Sequence, residues 1–285
     1  MTNATTAKPT EESLWAGPSG QRWLANVDRF EATIQPIGDA LVARAGFRPG
    51  EHVLDIGCGG GATSIDIARR VAPGGSVTGI DISPGLIAEA KRRAAAAGEL
   101  PIRFVLGDAA RIDLSDEQAD WIVSRFGVMF FSDPFGAFSH LHRLLKPTGR
   151  LAIACWAPLK ENAWMREVRS ILAAHVDLPA PIPHASGPFA FDDPDYVREL
   201  LGSARFKQIE IIPWKAELFV GGAGSDAEAA AEFLLKALFI AQLGEDVGED
   251  KKKLIRRQVV ERLRAFMTPA GVSMPASAWL VSAVV

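Results

Sequence analysis

Residues 53–63 read Val-Leu-Asp-Ile-Gly-Cys-Gly-Gly-Gly-Ala-Thr, an apolar run that predicts a short strand leading directly into a glycine-rich loop. Asp55, Gly57, Gly59 and Gly61 form the pattern D-x-G-x-G-x-G within it. Glycine at alternate positions lets the chain turn sharply and lets backbone N–H groups approach a ligand, because no Cβ stands in between. The carboxylate of Asp55, two residues before the first glycine, favours a ligand with a cationic end.

The same loop also satisfies the dinucleotide-binding pattern G-x-G-x-x-A, through Gly57, Gly59 and Ala62. A second predicted strand, Ser76–Ile82, has Asp81 close to its end. A carboxylate at that strand end accepts hydrogen bonds from both hydroxyls of a ribose, which any adenosyl ligand carries. The loop and Asp81 by themselves therefore leave a nicotinamide oxidoreductase open.

Further segments resemble the class I S-adenosylmethionine (SAM)-dependent methyltransferases. The third predicted strand ends in Gly107-Asp108-Ala109, where that family has an acid that accepts from the adenine amino group. Residues 125–134 and 143–150 resemble the blocks that follow the family's fourth strand and precede its fifth, with Thr148 in place of a commoner glycine. The resemblance covers residues 51–156. Within the family, the pattern is similar to the small-molecule methyltransferases that include the menaquinone/ubiquinone-pathway C-methyltransferases.

The resemblance implies that the cofactor is SAM, whose ammonium and sulfonium groups suit the carboxylate of Asp55. The residues that match the cofactor site of the family are Asp55, Gly57, Cys58, Gly59, Asp81, Ile82, Asp108, Ala109 and Arg125. Arg125 is a charge in an otherwise apolar strand. It is either a buried ion-pair partner of Asp55 or Asp81, or an anchor for the SAM carboxylate or a substrate anion. Asp108 has a structural alternative, as a carboxylate that caps a turn.

The predicted acceptor is a hydrophobic, aromatic small molecule. Candidates for its pocket are Trp23, Met129, Phe130 and Trp156, although each of these side chains equally suits a hydrophobic core. His184 lies in a proline-rich insertion that could fold over the pocket, and it is the candidate general base. A nucleophile that needs only positioning would require no base.

The implied reaction is an in-line displacement of the methyl group from the sulfonium of SAM. No Asp/Asn-Pro-Pro-Tyr tetrapeptide follows the fourth predicted strand, and no cluster of acids there suggests a magnesium site. Both observations favour metal-independent transfer to a small molecule. Two alternatives stay open: a SAM-binding protein with a regulatory or other non-methyl-transfer role, and, less favoured, an NAD-dependent oxidoreductase.

Strands that alternate with helix-length segments predict a parallel sheet wound on both faces. The resemblance implies a Rossmann-like, doubly wound α/β sheet of seven strands with the last strand antiparallel, in which Ile209–Trp214 and Ala278–Val285 are strands six and seven. Residues 14–285 are predicted to form one methyltransferase domain after a disordered tail over residues 1–13. Helical cap insertions are predicted at 14–45, 157–203 and 215–275.

The bulk composition is that of a soluble enzyme. A net charge of −3 over 285 residues gives no reason to expect a nucleic-acid partner. No apolar stretch reaches the length of a membrane span, and the N-terminal residues do not form a secretion signal. The two cysteines, Cys58 and Cys155, indicate no disulfide framework, so the predicted location is cytoplasmic. Homodimer formation is left open.

Overall fold

Five parallel strands form one half of the sheet in the computed structural model, which describes residues 10–114, 118–239, 243–244 and 247–285. These strands are β1 His52–Ile56, β2 Ser76–Asp81, β3 Ile102–Leu106, β4 Ala119–Arg125 and β5 Leu145–Trp156. They lie in the order β3-β2-β1-β4-β5. Because the strand order reverses between β1 and β4, a ligand crevice is expected at the carboxyl ends of the strands near this point.

Antiparallel strands complete the other half of the sheet. They are β6 Lys207–Phe219, β7 Met267–Thr268 and β8 Gly271–Val284. The last strand, β8, runs antiparallel between β5 and β6, which confirms the predicted fold class. The two-residue strand β7 pairs with β8 and is an addition to the predicted seven.

β6 and β8 are longer than the predicted strands six and seven. They stay paired from Lys207 opposite Val284 to Phe219 opposite Ser273. β5 follows β8 only as far as Trp156 opposite Ala278. The rest of the β6–β8 ribbon therefore projects beyond the parallel strands, towards the side where their carboxyl ends lie.

Helices cover this sheet. In the described ranges they are α1 Glu11–Ala16, α2 Pro18–Ala25, α3 Val27–Ala45, α4 Ala62–Val71, α5 Pro84–Ala96, α6 Pro134–Arg143, α7 Ala163–Ala173, α8 Pro194–Ser203, α9 Ala227–Ala237 and α10 Glu249–Arg264. None of them combines the length and the apolar character that a membrane crossing requires.

Local sequence signals explain where several helices begin. The Ser83 hydroxyl accepts from the backbone N–H of Leu86 at the start of α5, and proline occupies the first helical position there. Asp133 caps α6 in the same way. At α9 the N-cap is Asp226, whose side chain accepts from the N–H of Ala229.

The predicted cap segments supply helices at three places in the chain. The end of α1, with α2 and α3, comes from the first segment, α7 and α8 from the second, and α9 and α10 from the third. Within the predicted disordered tail, residues 1–9 lie outside the described residues, and α1 begins at Glu11, before the predicted boundary at residue 14. In α10 the apolar stripe of Ile255, Val259 and Leu263 is buried, as its helical spacing predicts.

Candidate active site

A cavity of about 550 Å³ opens at the carboxyl ends of β1 to β4. Its walls include every residue that the sequence assigns to the cofactor site or to the acceptor pocket. These are Asp55, Gly57, Cys58, Gly59, Asp81, Ile82, Asp108, Ala109 and Arg125, together with Trp23, Met129, Phe130 and Trp156. They meet because the carboxyl ends of neighbouring parallel strands share one edge of the sheet.

The backbones of the loops after β1 and β4 pack against each other at the point where the strand order of the sheet reverses. Gly57 has φ +66°, and a Cβ built on it would lie 2.7 Å from the Cα of Gly127. A Cβ on Gly127 would lie 2.6 Å from the carbonyl oxygen of Ile56. Glycine is therefore required on both sides of this contact, for its backbone conformation at Gly57 and for its size at both positions.

The side chain of Ser124 links the two loops through hydrogen bonds. Its fully buried hydroxyl donates to the Ile56 carbonyl at 2.7 Å and accepts from the N–H groups of Gly127 and Val128, both at 3.2 Å. One small side chain thus provides a hydrogen-bond partner for three backbone groups at the strand ends.

Replacing Ser124 with alanine is expected to lower the free energy of unfolding by about 2–4 kcal/mol, because buried backbone groups lose their partner. Urea denaturation followed by circular dichroism measures the change. Ser139→Ala is the matched control, since the Ser139 hydroxyl bonds only to Phe135 on the exposed face of α6. Equal stability of the two variants would contradict the role given to Ser124.

Four of the five backbone N–H groups of residues 57–61 donate hydrogen bonds within the protein. Those of Gly57 and Cys58 donate to the Ile80 carbonyl at 2.8 and 3.0 Å, and that of Gly61 donates to the Cys58 carbonyl. The N–H of Gly59 donates to the Asp81 carboxylate at 2.9 Å. Contrary to the expectation from the sequence, these four N–H groups already have protein partners in the structure. A loop whose donors are occupied offers no cradle for a pyrophosphate, whereas its lack of side chains still leaves room for an adenosyl ligand.

The Asp81 carboxylate links the glycine loop to the start of α5. One carboxylate oxygen accepts from Gly59, and the other accepts from the N–H of Ser83 at 2.9 Å. Burial raises the pKa of Asp81, and the backbone donors partly offset that rise. Because Asp81 also lines the cavity, its carboxylate presents lone pairs to a ligand from a rigidly held position.

Asp55 lies deeper, at the end of β1, and is 1% exposed. The Ser64 hydroxyl of α4 donates to its carboxylate at 2.5 Å. Burial raises the pKa of Asp55 to about 7, against smaller lowering effects of the Ser64 hydrogen bond and the charge of Arg125. The carboxyl group thus changes its charge in the neutral range, and a cationic ligand nearby would favour its ionised form.

A pH dependence of stability follows from this shift. Between its ordinary pKa of 3.8 and the folded value of about 7, Asp55 is protonated in the folded state and ionised in the unfolded one. Its contribution to stability is therefore present below pH 4 and decreases as the pH rises to 7, by about 4 kcal/mol at most. Thermal melts of the wild type and Asp55→Asn from pH 4.5 to 8 test this, and parallel curves would contradict it. Asp66→Asn, at a partly exposed position of α4, is the control.

Asp108 lies just after β3, where it lines the cavity and caps a turn. One of its oxygens accepts from the N–H of Ala110 at 2.9 Å, as a turn-capping carboxylate does. Arg111 lies 3.3 Å from the other oxygen and also 3.3 Å from Glu12 of α1. A hydrogen bond with Asp108 raises the pKa of Glu12. The N-terminal helix thus closes over this end of the cavity.

Arg125 pairs with Glu31 of α3, which the sequence did not indicate. Neither Asp55 nor Asp81, the two predicted partners, forms this ion pair. The residues are 94 positions apart in the chain, and both line the cavity. The side chains of Arg125 and Glu31 are only 7% and 11% exposed.

Aromatic side chains surround the remaining part of the cavity. Trp23 of α2 stacks on Phe30 of α3 with 3.7 Å between the ring centres, and Phe30 contacts Phe233 of α9 edge to face. Phe126, which has φ +66°, stacks on Trp156 at 4.2 Å. The first set of contacts joins three cap helices and the second joins the ends of β4 and β5, so the apolar part of the cavity has walls from segments far apart in the sequence.

His184 is not among the residues that line the cavity. Its ring stacks on Tyr196 of α8 with 3.8 Å between the ring centres, and its Nδ1 atom is buried without a hydrogen-bond partner in the described structure. The backbone of the insertion does reach the site, since the N–H of Gly187 donates to the Met129 carbonyl. His140 of α6 does line the cavity, but its Nε2 atom bonds to the Ile112 carbonyl.

Several cavity residues have no separate signal in the sequence. They include Glu31, Thr33 and Met165. An amphipathic helix shows which face is buried but not what lies opposite that face, so α3 could be predicted as a helix without revealing that Glu31 meets Arg125. No group of three or more His, Cys, Asp or Glu side chains that could hold a metal ion occurs in the described ranges.

Comparison with known proteins agrees with this geometry. A family model described as a methyltransferase domain matches residues 53–149. Demethylmenaquinone methyltransferase of Symbiobacterium thermophilum is 36% identical over 111 residues, which cover 39% of this chain and 44% of that protein. Aklanonic acid methyltransferase DauC of a Streptomyces species is 37% identical over 117 residues, or 41% of this chain and 53% of that protein. The chain thus spans about half the length of the curated relatives it matches.

The fold comparison extends over nearly the whole chain. Phosphoethanolamine N-methyltransferase 2 of Haemonchus contortus, solved in complex with SAM, has a TM-score of 0.58 at 16% identity and covers 97% of this chain and 60% of its own. At that identity the likeness concerns the fold alone. The family match, the relatives and the fold together confirm the predicted superfamily and SAM as its cofactor. Residues 53–149 of the chain thus match a methyltransferase domain, and the chain around them has the fold of the class I SAM-dependent methyltransferases.

Proposed function

We propose that this protein transfers the methyl group of SAM to a hydrophobic, aromatic small molecule by in-line displacement, without a metal ion. The observation that carries the proposal is the single cavity that joins two kinds of wall. One wall is the glycine loop with the carboxylates of Asp55, Asp81 and Asp108. The other consists of the stacked aromatic side chains of β4, β5 and the cap helices.

The residues of the first wall fit SAM. Asp81 would accept from the ribose hydroxyls and Asp108 from the adenine amino group, while Ile82 and Ala109 would contact the adenine ring. The glycine loop admits the ligand closely but has no free row of N–H donors for a pyrophosphate, which favours a cationic ligand over a dinucleotide. Asp55 adds a buried carboxyl whose ionisation a cation would stabilise.

The second wall supports an apolar, flat acceptor. Met129, Phe130 and Trp156 lie beside the cofactor residues, and Trp164 packs on Trp156 with 5.0 Å between the ring centres. Burying an aromatic acceptor against such a wall releases water and gives about 25 cal/mol for each Å² of apolar surface. Two of the curated relatives are named for demethylmenaquinone and aklanonic acid, so these compounds are the first acceptors to test.

The catalytic task of the chain is alignment and exclusion of water. When bound, SAM supplies a methyl group that is already activated by the positive sulfur. For an in-line displacement, the chain would have to hold the sulfonium, its methyl group and the acceptor nucleophile on one line. Trp15 packs edge to face on Phe130, 4.7 Å between ring centres, and together with Trp23 it covers the cavity from the N-terminal side.

Titration calorimetry with SAM, S-adenosylhomocysteine and NAD tests the proposal. Micromolar binding of both adenosyl ligands without NAD binding is expected. A coupled assay of methyl transfer to the two named acceptors and related phenols then tests turnover. Binding of NAD without SAM would contradict the proposed cofactor site. Binding of SAM with no transfer to any aromatic acceptor would favour a SAM-binding protein with another role.

A further inference from the structure

The ion pair of Glu31 and Arg125 uses little of its hydrogen-bonding capacity. In the described part of the chain, one guanidinium N–H of Arg125 donates to one carboxylate oxygen of Glu31, which leaves four guanidinium N–H groups and one oxygen without a protein partner. A buried ion pair is costly unless its remaining donors and acceptors are also satisfied. Because both side chains line the cavity, a ligand there can satisfy them.

Helix α3 holds the guanidinium from one side at two points. Gly38 lies seven residues after Glu31, two helical turns away on the same face. A Cβ on Gly38 would lie 2.9 Å from one terminal nitrogen of Arg125 and 3.1 Å from its Cδ. The side chain of Arg125 therefore rests on the backbone of α3, and its orientation is set before any ligand arrives.

The strand order places this pair at one end of the row of acids. Arg125, Asp55, Asp81 and Asp108 end the strands β4, β1, β2 and β3, which are neighbours in that order. In the proposed function the adenine reaches Asp108 and the ribose reaches Asp81. The opposite end of the ligand, its aminocarboxyl group, then extends past Asp55 towards Arg125. The charges of Arg125 and Glu31 both act on Asp55, so the three groups are close together.

We propose that Glu31 and Arg125 together bind the zwitterionic aminocarboxyl end of SAM, with Arg125 donating to its carboxylate and Glu31 accepting from its ammonium group. The inference rests on the proposed function. When the zwitterion binds, Arg125 has the ligand carboxylate as a second anionic partner, and Glu31 has the ligand ammonium as a second cationic partner. Positive and negative charges then alternate among the four groups. The pair presents both a negative and a positive charge to the ligand. Binding a substrate anion would need only the positive charge of Arg125.

Comparing two ligands isolates the contribution of the aminocarboxyl group to binding. S-adenosylhomocysteine carries it, and 5′-methylthioadenosine has the same adenosyl thioether without it. Calorimetric titration of both ligands is compared for the wild type, Glu31→Gln, Arg125→Gln and the double variant. The double variant is decisive, because it leaves no buried charge unpaired and so avoids the main cause of unfolding. Its melting curve checks that it is folded.

The double variant is expected to bind S-adenosylhomocysteine about 100-fold more weakly, since a charged hydrogen bond at each end of the zwitterion is lost. Its affinity for 5′-methylthioadenosine is expected to stay within about threefold of the wild type. Arg44→Gln is the matched control. It removes another ion pair of α3, that with Glu210 on the surface, and should leave both affinities unchanged.

Equal losses for the two ligands, or an unchanged affinity for S-adenosylhomocysteine, would overturn the inference. So would a wild type that binds 5′-methylthioadenosine as tightly as S-adenosylhomocysteine, although SAM binding itself would then stand. A wild type that binds neither ligand would instead overturn the proposed function, before any variant is compared.

Discussion

Replacing Gly57 with alanine is expected to lower the free energy of unfolding by about 2–5 kcal/mol and to abolish SAM binding. Two costs add at this position. A left-handed backbone at φ +66° is unfavourable for alanine, and the new Cβ would lie 2.7 Å from the Cα of Gly127. The neighbouring loop cannot move away cheaply, because Ser124 ties it to Ile56.

Alanine substitutions at two other glycines distinguish the cost of the left-handed backbone from the cost of the steric contact. Gly59 has φ +54°, but its Cβ would meet nothing closer than Trp23 at 3.8 Å, so alanine there should cost about 1–2 kcal/mol from strain alone. Gly202, near the end of α8, has open space around it and should tolerate alanine or gain stability from it. Urea denaturation of the three variants should rank Gly57 first, then Gly59, then Gly202. A Gly57→Ala protein no less stable than Gly59→Ala would contradict the contact between the loops.

Replacing Asp81 with asparagine is expected to weaken the binding of S-adenosylhomocysteine by about 100-fold or more. The carboxylate would accept from two ribose hydroxyls, and each hydrogen bond to an ionised acceptor contributes about 1.5–3 kcal/mol. Asparagine also carries an NH₂ group that would face the N–H of Gly59 or of Ser83, two donors that now point at oxygens. The substitution therefore disturbs the glycine loop as well as the ligand contact.

Titration calorimetry measures this loss, with Asp66→Asn as the control. Asp66 lies on α4 close to the same loop, but its carboxylate pairs with Arg70 at the surface. An exposed pair of this kind contributes less than about 1 kcal/mol to stability and should not affect binding. An Asp81→Asn protein with wild-type affinity would remove Asp81 from the cofactor site and leave it only its role in holding the loop.

Much of the fold could be predicted because its signals are local. The alternation of strands and helices, the glycine run after β1 and the caps at Ser83 and Asp133 each depend on residues within a few positions of one another. The clustering of Asp55, Asp81 and Asp108 also follows from the sequence, since each ends a strand of the same parallel sheet. These signals determined the superfamily and the cofactor.

The sequence by itself thus determined the sheet, the glycine loop and the row of acids along one edge. Only the tertiary structure decided that Arg125 meets Glu31, that the loop N–H groups bind Ile80 and Asp81, and that His184 lies outside the cavity. The physical reason is the distance along the chain. Contacts such as the one across 94 residues depend on how α3 packs across the completed sheet, and no short stretch of sequence carries that information.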